Sequence, residues 1–220
     1  SVGFHPKPDL SFGPALGLGI ASLGELLDIR LVEKIAPAEL LRRLSAVTME
    51  GIDFLGAATL GDNDAALGRV IAQAEFVARL PPEADTEAAL ALWQAGGTLV
   101  VRREAENKID RMIDLRKSVR QVSLLTNGQA EVRRRLDWEG GELLRFQIAV
   151  SHQGSARPSE VVTALFDGEI AGQVELARTA LWAVDESRPS SPLLDPLETE
   201  DLRARPKTAA PRPTAPSQIA

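Results

Sequence analysis

The sequence predicts the α+β class, and three observations predict it. Segments with strand-like alternation and segments with helix-like periodicity take turns from Leu10 to Val184. With the stretch between Glu104 and Gly141 set aside as an insertion, the second half runs strand–helix–strand–strand–helix–strand. The first half runs strand–strand–helix–strand, the same plan without its opening strand and helix. The expectation is therefore two ferredoxin-like antiparallel-sheet units with helices on one face, the first lacking its first strand and helix.

Each element has a local reason. LSFGPAL from Leu10 reads as a strand, and GELLDIRLVE alternates so that Leu27, Ile29 and Leu31 share a face. PAELLRRLSAV follows, with Pro37 suited to a first helical turn and Leu40, Leu41, Leu44 and Val47 at helical spacing. Gly51 ends that unit, IDFLGAATL from Ile52 is the next strand, and Asn63 or Asp64 can cap a short helix over AALGRVIAQ. In this topology the first strand is central, so its absence leaves two edges unpaired. The reading that follows is a chain truncated at its N-terminus, in which GFHPKP is the loop leaving a missing helix.

The second unit opens with the strand AEFVARL, stopped by Pro81 and Pro82. Asp85 caps the helix TEAALALWQA, which Gly96 and Gly97 close. TLVVRRE reads as a strand and IDRMIDLRKSV as a further extended piece. AEVRRRLDW and ELLRFQIAV, on either side of Glu-Gly-Gly, read as a hairpin. Pro158 begins the helix that continues through SEVVTALF, and QVELARTALWAV is the last strand. The organisation expected is an incomplete unit over 1–61, a connecting helix over 62–73, a second unit over 74–184 and a disordered Pro-rich tail over 185–220.

Composition bounds the rest. The chain of 220 residues has 44% hydrophobic and 25% charged residues, with 4% aromatics and no Tyr, so its core must be mostly aliphatic. Apolar runs are too short for a membrane span, no signal-peptide pattern precedes them, and the expected location is cytoplasmic. There is no Cys, hence no disulfide and no Cys-ligated metal or iron–sulfur cluster in this chain. A net charge of −6 gives no overall attraction to nucleic acid.

One long motif carries a family likeness. In SVGFHPKPDLSFGPALGLGIASLGELLDIRL, residues Ser1, Gly3, Phe4, Pro6, Pro8, Ser11, Phe12, Ser22, Glu25 and Asp28 fit a pattern of the form S-x-G-F-x-P-x-P, a Gly-rich run, and S-x-x-E followed by an Asp. Weaker matches follow in order: IDLR at Ile113–Arg116, GSARPSEVV from Gly154, and ARTALW with Arg178 and Thr179. The chain resembles the radical-SAM-linked protein family, a bacterial domain of unknown function fused to or encoded beside radical SAM proteins. The resemblance covers residues 1 to about 184, and it implies an upstream strand and Arg-rich helix that are absent here. It also implies a radical SAM partner or fused domain that would hold the iron–sulfur cluster and S-adenosylmethionine. This chain lacks the cysteines for that cluster, so it is not itself the radical SAM catalyst and carries no cofactor of its own.

Candidate ligand-binding residues are Gly3, Phe4, His5 and Lys7 in the Gly/Pro loop, Glu25, Asp114, Arg116, Arg157 and Arg178. A loop held by a scaffold is where binding groups tend to sit, and Lys7 suits a phosphate or carboxylate as a point charge. Beside that stands a rigid turn in which Gly3 and the prolines only set backbone angles. Asp114 and Arg116 fit an ion pair fixing a loop as well as they fit a site, and Arg157 before Pro158 fits either a structural carbonyl contact or a ligand. PALGLGIASLGE lacks the Gly-Lys-Ser/Thr ending of a phosphate loop. The stretch 102–145 holds eleven Lys/Arg against eight acids, a net of +3, with Arg133 and Arg135 on one face of the expected strand and Arg134 on the other. No catalytic group and no metal-ligand set is assigned, since neither His5 nor His152 has an identifiable partner.

The functional expectation is an accessory or substrate-presenting domain working with a radical SAM protein, rather than an enzyme in its own right. The alternative is an RNA-binding or RNA-processing domain of ferredoxin-like architecture. A third reading is a fragment with no independent activity.

Overall fold

The computed structural model describes residues 9–50, 52–61, 65–104, 110–151, 155–183 and 191–192. It is a mixed α+β structure with six helices among the described residues. Two compact units divide them: one takes residues 9–30 and 65–192, the other residues 31–61.

The larger unit is built on an antiparallel sheet. Its strands are β4 (Ile71–Arg79), β7 (Val119–Leu124), β8 (Leu143–Ala149) and β9 (Glu175–Ala183), in the spatial order β9-β4-β8-β7. Helix α3 (Thr86–Gln94) follows β4, and helix α5 (Pro158–Leu165) with the short α6 (Gly168–Ala171) follows β8. The chain thus runs strand–helix–strand–strand–helix–strand, with the fourth strand beside the first and the third between the first and second. At the free edge of β9, β2 (Ala21–Ser22) pairs in parallel and β10 (Ser191–Pro192) pairs antiparallel. Those last two residues belong to the expected tail; the rest of 185–220 lies outside the described residues.

Period-2 alternation gives the sheet two faces. Ala74, Phe76 and Ala78 of β4, with Leu144, Phe146 and Ile148 of β8, meet Ala89 of α3 and Val161, Val162 and Leu165 of α5. Phe76 and Phe146 are register partners, with rings stacked 5.9 Å apart. On the opposite face, Val77, Leu143 and Ala177 pack with Leu23, Leu125, Trp138 and Val132 of α4 (Gln129–Leu136).

Three elements differ from the sequence expectation. AEVRRRLDW makes helix α4, not a strand, so Arg133, Arg134 and Arg135 point around a helix. Its Ala, Glu, Arg and Leu residues are strong helix formers, and Val132 and Leu136 are spaced to cover a sheet. The second strand of the sheet is β7, whereas TLVVRRE supplies β5 (Val100–Arg103), which pairs with β6 (Arg111–Asp114) in a separate two-stranded ladder. AALGRVIAQ gives only the single turn α2 (Leu67–Val70), because Ile71 already begins the central strand.

Before that sheet, β1 (Leu10–Phe12) pairs antiparallel with β3 (Leu27–Ile29), with Leu10 opposite Ile29 and Phe12 opposite Leu27. In the smaller unit, α1 (Pro37–Val47) forms as expected, with Glu39 accepting from Arg42 and Arg43, and Thr48 Oγ1 closes its end on the Leu44 carbonyl at 2.5 Å. IDFLGAATL makes no ladder. Gly56, Ala57 and Ala58 interrupt the run where a strand would need large side chains to face a sheet.

Candidate functional site

The most specific part of the sequence motif folds into an anchor on the edge of the sheet. The segment from Gly13 to Leu26 crosses from β1 to β3, touching β9 on the way through β2. Arg178 of β9 lies opposite Ser22 in that pairing and is buried, with 1% of its surface exposed. Its Nε donates to Glu25 Oε1 at 3.0 Å and its Nη2 to Glu25 Oε2, forming a two-pronged ion pair. Nη2 also donates to the Pro14 carbonyl at 2.9 Å and Nη1 to the Ala15 carbonyl at 3.4 Å. Ser22 Oγ donates to Glu25 Oε1 at 2.5 Å, and the Leu23 amide donates to the Arg178 carbonyl at 3.0 Å. Asp28 Oδ2 accepts the Leu67 amide at 3.0 Å, at the start of α2. The Ser, Glu and Asp of the motif therefore each hold backbone or a buried cation.

Glu25 and Arg178 are brought together; the other predicted residues are not part of this anchor. Asp114 and Arg116 do not pair through their side chains. Asp114 Oδ1 accepts the Arg116 amide at 3.2 Å, opening a short 3₁₀ turn (Leu115–Lys117). The Arg116 guanidinium lies 4.1 Å from the centroid of the Trp93 ring and donates to the carbonyls of Trp93, Leu92 and Gly96, with the Leu92 bond at 3.0 Å. A cation over an indole, bonded to the last carbonyls of α3, is a helix C-cap. Gly3, Phe4, His5 and Lys7 lie outside the described residues.

Arg157 precedes α5 and contributes its backbone. Its N–H donates to Glu160 Oε2 at 2.7 Å, while Arg103 of β5 grips the same carboxylate through Nε at 2.5 Å and Nη2 at 2.6 Å. Arg103 Nη2 also reaches the Ser155 carbonyl at 2.9 Å, which ties the β5–β6 ladder to the start of α5. Burial pushes the Glu160 carboxyl up, but the Arg103 bonds and the Arg157 amide outweigh it and hold the group below its ordinary range. A carboxyl lowered in the folded state stabilises above its unfolded pKa and loses that contribution as pH falls through the folded value. Between pH 7 and pH 3 the wild-type chain is thus expected to lose more stability than Glu160→Gln, measured by urea unfolding at both pH values. Equal losses would show that this pair does not set the acid limb.

A polar cluster on the sheet face opposite α3 and α5 escaped the sequence reading. Glu75 of β4 sits opposite Gln147 of β8, accepting from Gln147 Nε2 at 3.2 Å and from Thr179 Oγ1 of β9 at 3.0 Å. Gln147 and Thr179 are buried. The signal was present as Glu and Gln in the middle of AEFVARL and RFQIAV, positions where an all-apolar strand would have hydrophobic residues. A shallow cavity of about 320 Å³, lined by Ser159, Val162, Thr163, Gly168 and Leu176, lies among α5, α6 and β9 and carries no charged group. Among the described residues no helix is long and apolar enough to cross a membrane, and no three His, Asp or Glu gather as metal ligands would.

The family model described as an uncharacterized protein conserved in bacteria, DUF2344, matches residues 1–158. The chain belongs to this family. The match to DUF2344 spans Ser22, Glu25, Asp28, Asp114, Arg116 and Arg157, and it ends before Arg178, the partner of Glu25. No curated protein and no solved structure matches the chain.

Proposed function

We propose that this DUF2344 chain is a non-catalytic accessory module that binds or presents the substrate of a radical SAM protein. The observation that carries the reading is the anchor: the charged groups of its most specific motif hold the Gly13–Leu26 segment to the sheet edge. Both Glu25 oxygens accept from Arg178, and Ser22 Oγ donates to Glu25. A carboxylate with both oxygens engaged in this way fixes the segment that carries it. The radical SAM partner rests on the resemblance of the same motif, and the iron–sulfur cluster and S-adenosylmethionine belong to that partner.

The strand order β9-β4-β8-β7 supports a ferredoxin-like reading of the larger unit, with α3 and α5 on one face and α4 on the other. Ferredoxin-like sheets that bind RNA use the face opposite their helices. Here α4 covers one end of that face and Glu75 lies within it, so RNA is the weaker reading. Affinity purification of the tagged chain from its native host under anaerobic conditions tests both. Stoichiometric recovery of a radical SAM protein is the expected result. Salt-sensitive bound RNA without that protein would replace the accessory reading with the RNA one, and recovery of neither would remove the support for both.

A further inference from the structure

The sequence has one Asn-Gly pair, Asn127–Gly128. Between two strands such a pair makes the tight turn of a hairpin, where the ladder on either side holds it. Here it leads instead from β7, which ends at Leu124, into α4, which begins at Gln129. Both residues are exposed. Before them, the last bond to the sheet runs from the Leu125 amide to the Leu143 carbonyl at 2.8 Å. After them, the Val132 amide donates to the Gly128 carbonyl at 3.1 Å. The amides of Thr126, Asn127 and Gly128, in between, donate to no group among the described residues.

The glycine follows from the entry into the helix. Gly128 is the N-cap of α4, with φ +77° and no side-chain capping bond. A residue with a Cβ is strained in that conformation. The turn into α4 therefore sets beside Asn127 the residue type whose backbone nitrogen is least hindered. That N–H has no hydrogen bond to give up before it reacts, and water reaches both residues.

We infer that Asn127 is a self-modification site, at which the side-chain amide is lost to the Gly128 nitrogen. The nitrogen attacks Asn127 Cγ and gives its proton to water. The new N–C bond closes a five-membered succinimide while the bond from Cγ to the side-chain nitrogen breaks and ammonia leaves. Water then opens the ring at one of its two carbonyls, with no oxidation or reduction. Opening at the backbone carbonyl gives an isoaspartyl link, whose main chain passes through the former side chain and is one carbon longer. Opening at the other carbonyl gives Asp. The two products act differently on α4. An Asp carboxylate lies just before the positive end of the helix dipole. The isoaspartyl link lengthens the connection between the Leu125 bond and Gly128, and so disturbs the seating of Val132, which is buried against the sheet. The inference stands independently of the accessory reading and concerns the larger unit alone.

Ageing the full chain at mildly alkaline pH tests it, followed by mass spectrometry of the tryptic peptide 121–133. The peptide is expected to gain the mass difference between NH2 and OH, with fragment ions placing the gain at residue 127. Part of the modified peptide is expected to take a methyl group from an isoaspartyl methyltransferase. The folded chain should convert within about tenfold of its rate in urea, because a segment without backbone hydrogen bonds opens at little cost. Asn127→Ser should show neither the gain nor the methylation. In the aged wild type the Val132 amide should exchange with solvent faster than in Asn127→Asp, which carries the charge without the longer main chain. The inference is overturned if the gain appears only in urea, if it lies on Gln121 or Gln129, or if Asn127→Ser gains as much as the wild type. Equal Val132 exchange in the aged chain and in Asn127→Asp would overturn the effect on α4.

Discussion

Gly141→Ala is expected to destabilise the chain by about 4 kcal/mol or prevent its folding, whereas Gly140→Ala next to it costs about 1 kcal/mol. Both glycines have positive φ, +59° and +68°, so an alanine at either position pays the left-handed penalty. They differ in what the new Cβ would meet. At Gly140 nothing lies within 4 Å, while at Gly141 the Cβ would fall 2.2 Å from the Leu80 carbonyl oxygen. That carbonyl cannot retreat cheaply, because Leu80 is buried in the core and its amide donates to the Glu142 carbonyl at 2.9 Å. Gly141 itself is held on its other side by Arg133 Nη2. Either the end of β4 moves away from the start of β8, or the new methyl group has no room. Urea unfolding of the two variants separates a conformational cost from a steric one. Equal midpoints would mean that the β4–β8 junction yields without resistance.

This junction also shows what was legible in the sequence. The strands β4, β8 and β9 were readable because each is rich in apolar residues and spans seven to nine positions, and α3 and α5 because Asp85 and Pro158 mark where they start. Asp85 does accept the Ala88 amide at 2.9 Å. Strand β7 was not readable. Its ladder with β8 breaks between Arg120 and Ser123, Gln121 has φ +53°, and the buried Val119 and Val122 are consequently three residues apart. A bulge of this kind erases the period of two on which strand recognition depends. With the true second strand hidden, TLVVRRE is the segment whose pattern fits that position, and the Arg-rich segment after Gly128, set beside Glu-Gly-Gly and a true strand, has the layout of a hairpin rather than of α4.

The candidate site was legible in its residues but not in its roles. Glu25 and Arg178 are 153 positions apart, and only the parallel pairing of β2 with β9 brings them together. Arg116 was readable as a notable cation, yet nothing in IDLR indicates that it would turn back onto Trp93. The hairpin expectation places Arg135 among three arginines on a strand. Its burial depends on the helix that local propensity supports and hairpin symmetry obscured.

The anchor makes the last prediction, which concerns an asymmetry. Removing one member of a buried ion pair costs most when the charge left behind is the one without access to water. Arg178 has 2% of its side chain exposed and Glu25 42%, so the two halves of the pair are unequal. Glu25→Ala leaves a buried guanidinium with only the Pro14 and Ala15 carbonyls, and is expected to cost about 2–3 kcal/mol. Arg178→Met leaves a carboxylate that can hydrate and still accepts from Ser22, so its expected cost is smaller, about 1–2 kcal/mol. The double variant should cost less than the sum of the two, with a coupling of about 1–2 kcal/mol. The distinguishing readout is local: the Leu23 amide, which donates to the Arg178 carbonyl, should exchange faster with solvent in both single variants than amides in the middle of β4 do. Additive losses, or unchanged Leu23 protection, would mean that β2 holds its place through backbone pairing alone. The Ser22–Glu25–Arg178 contacts would then be a consequence of the anchor and not its cause, and the accessory reading would lose the observation on which it rests.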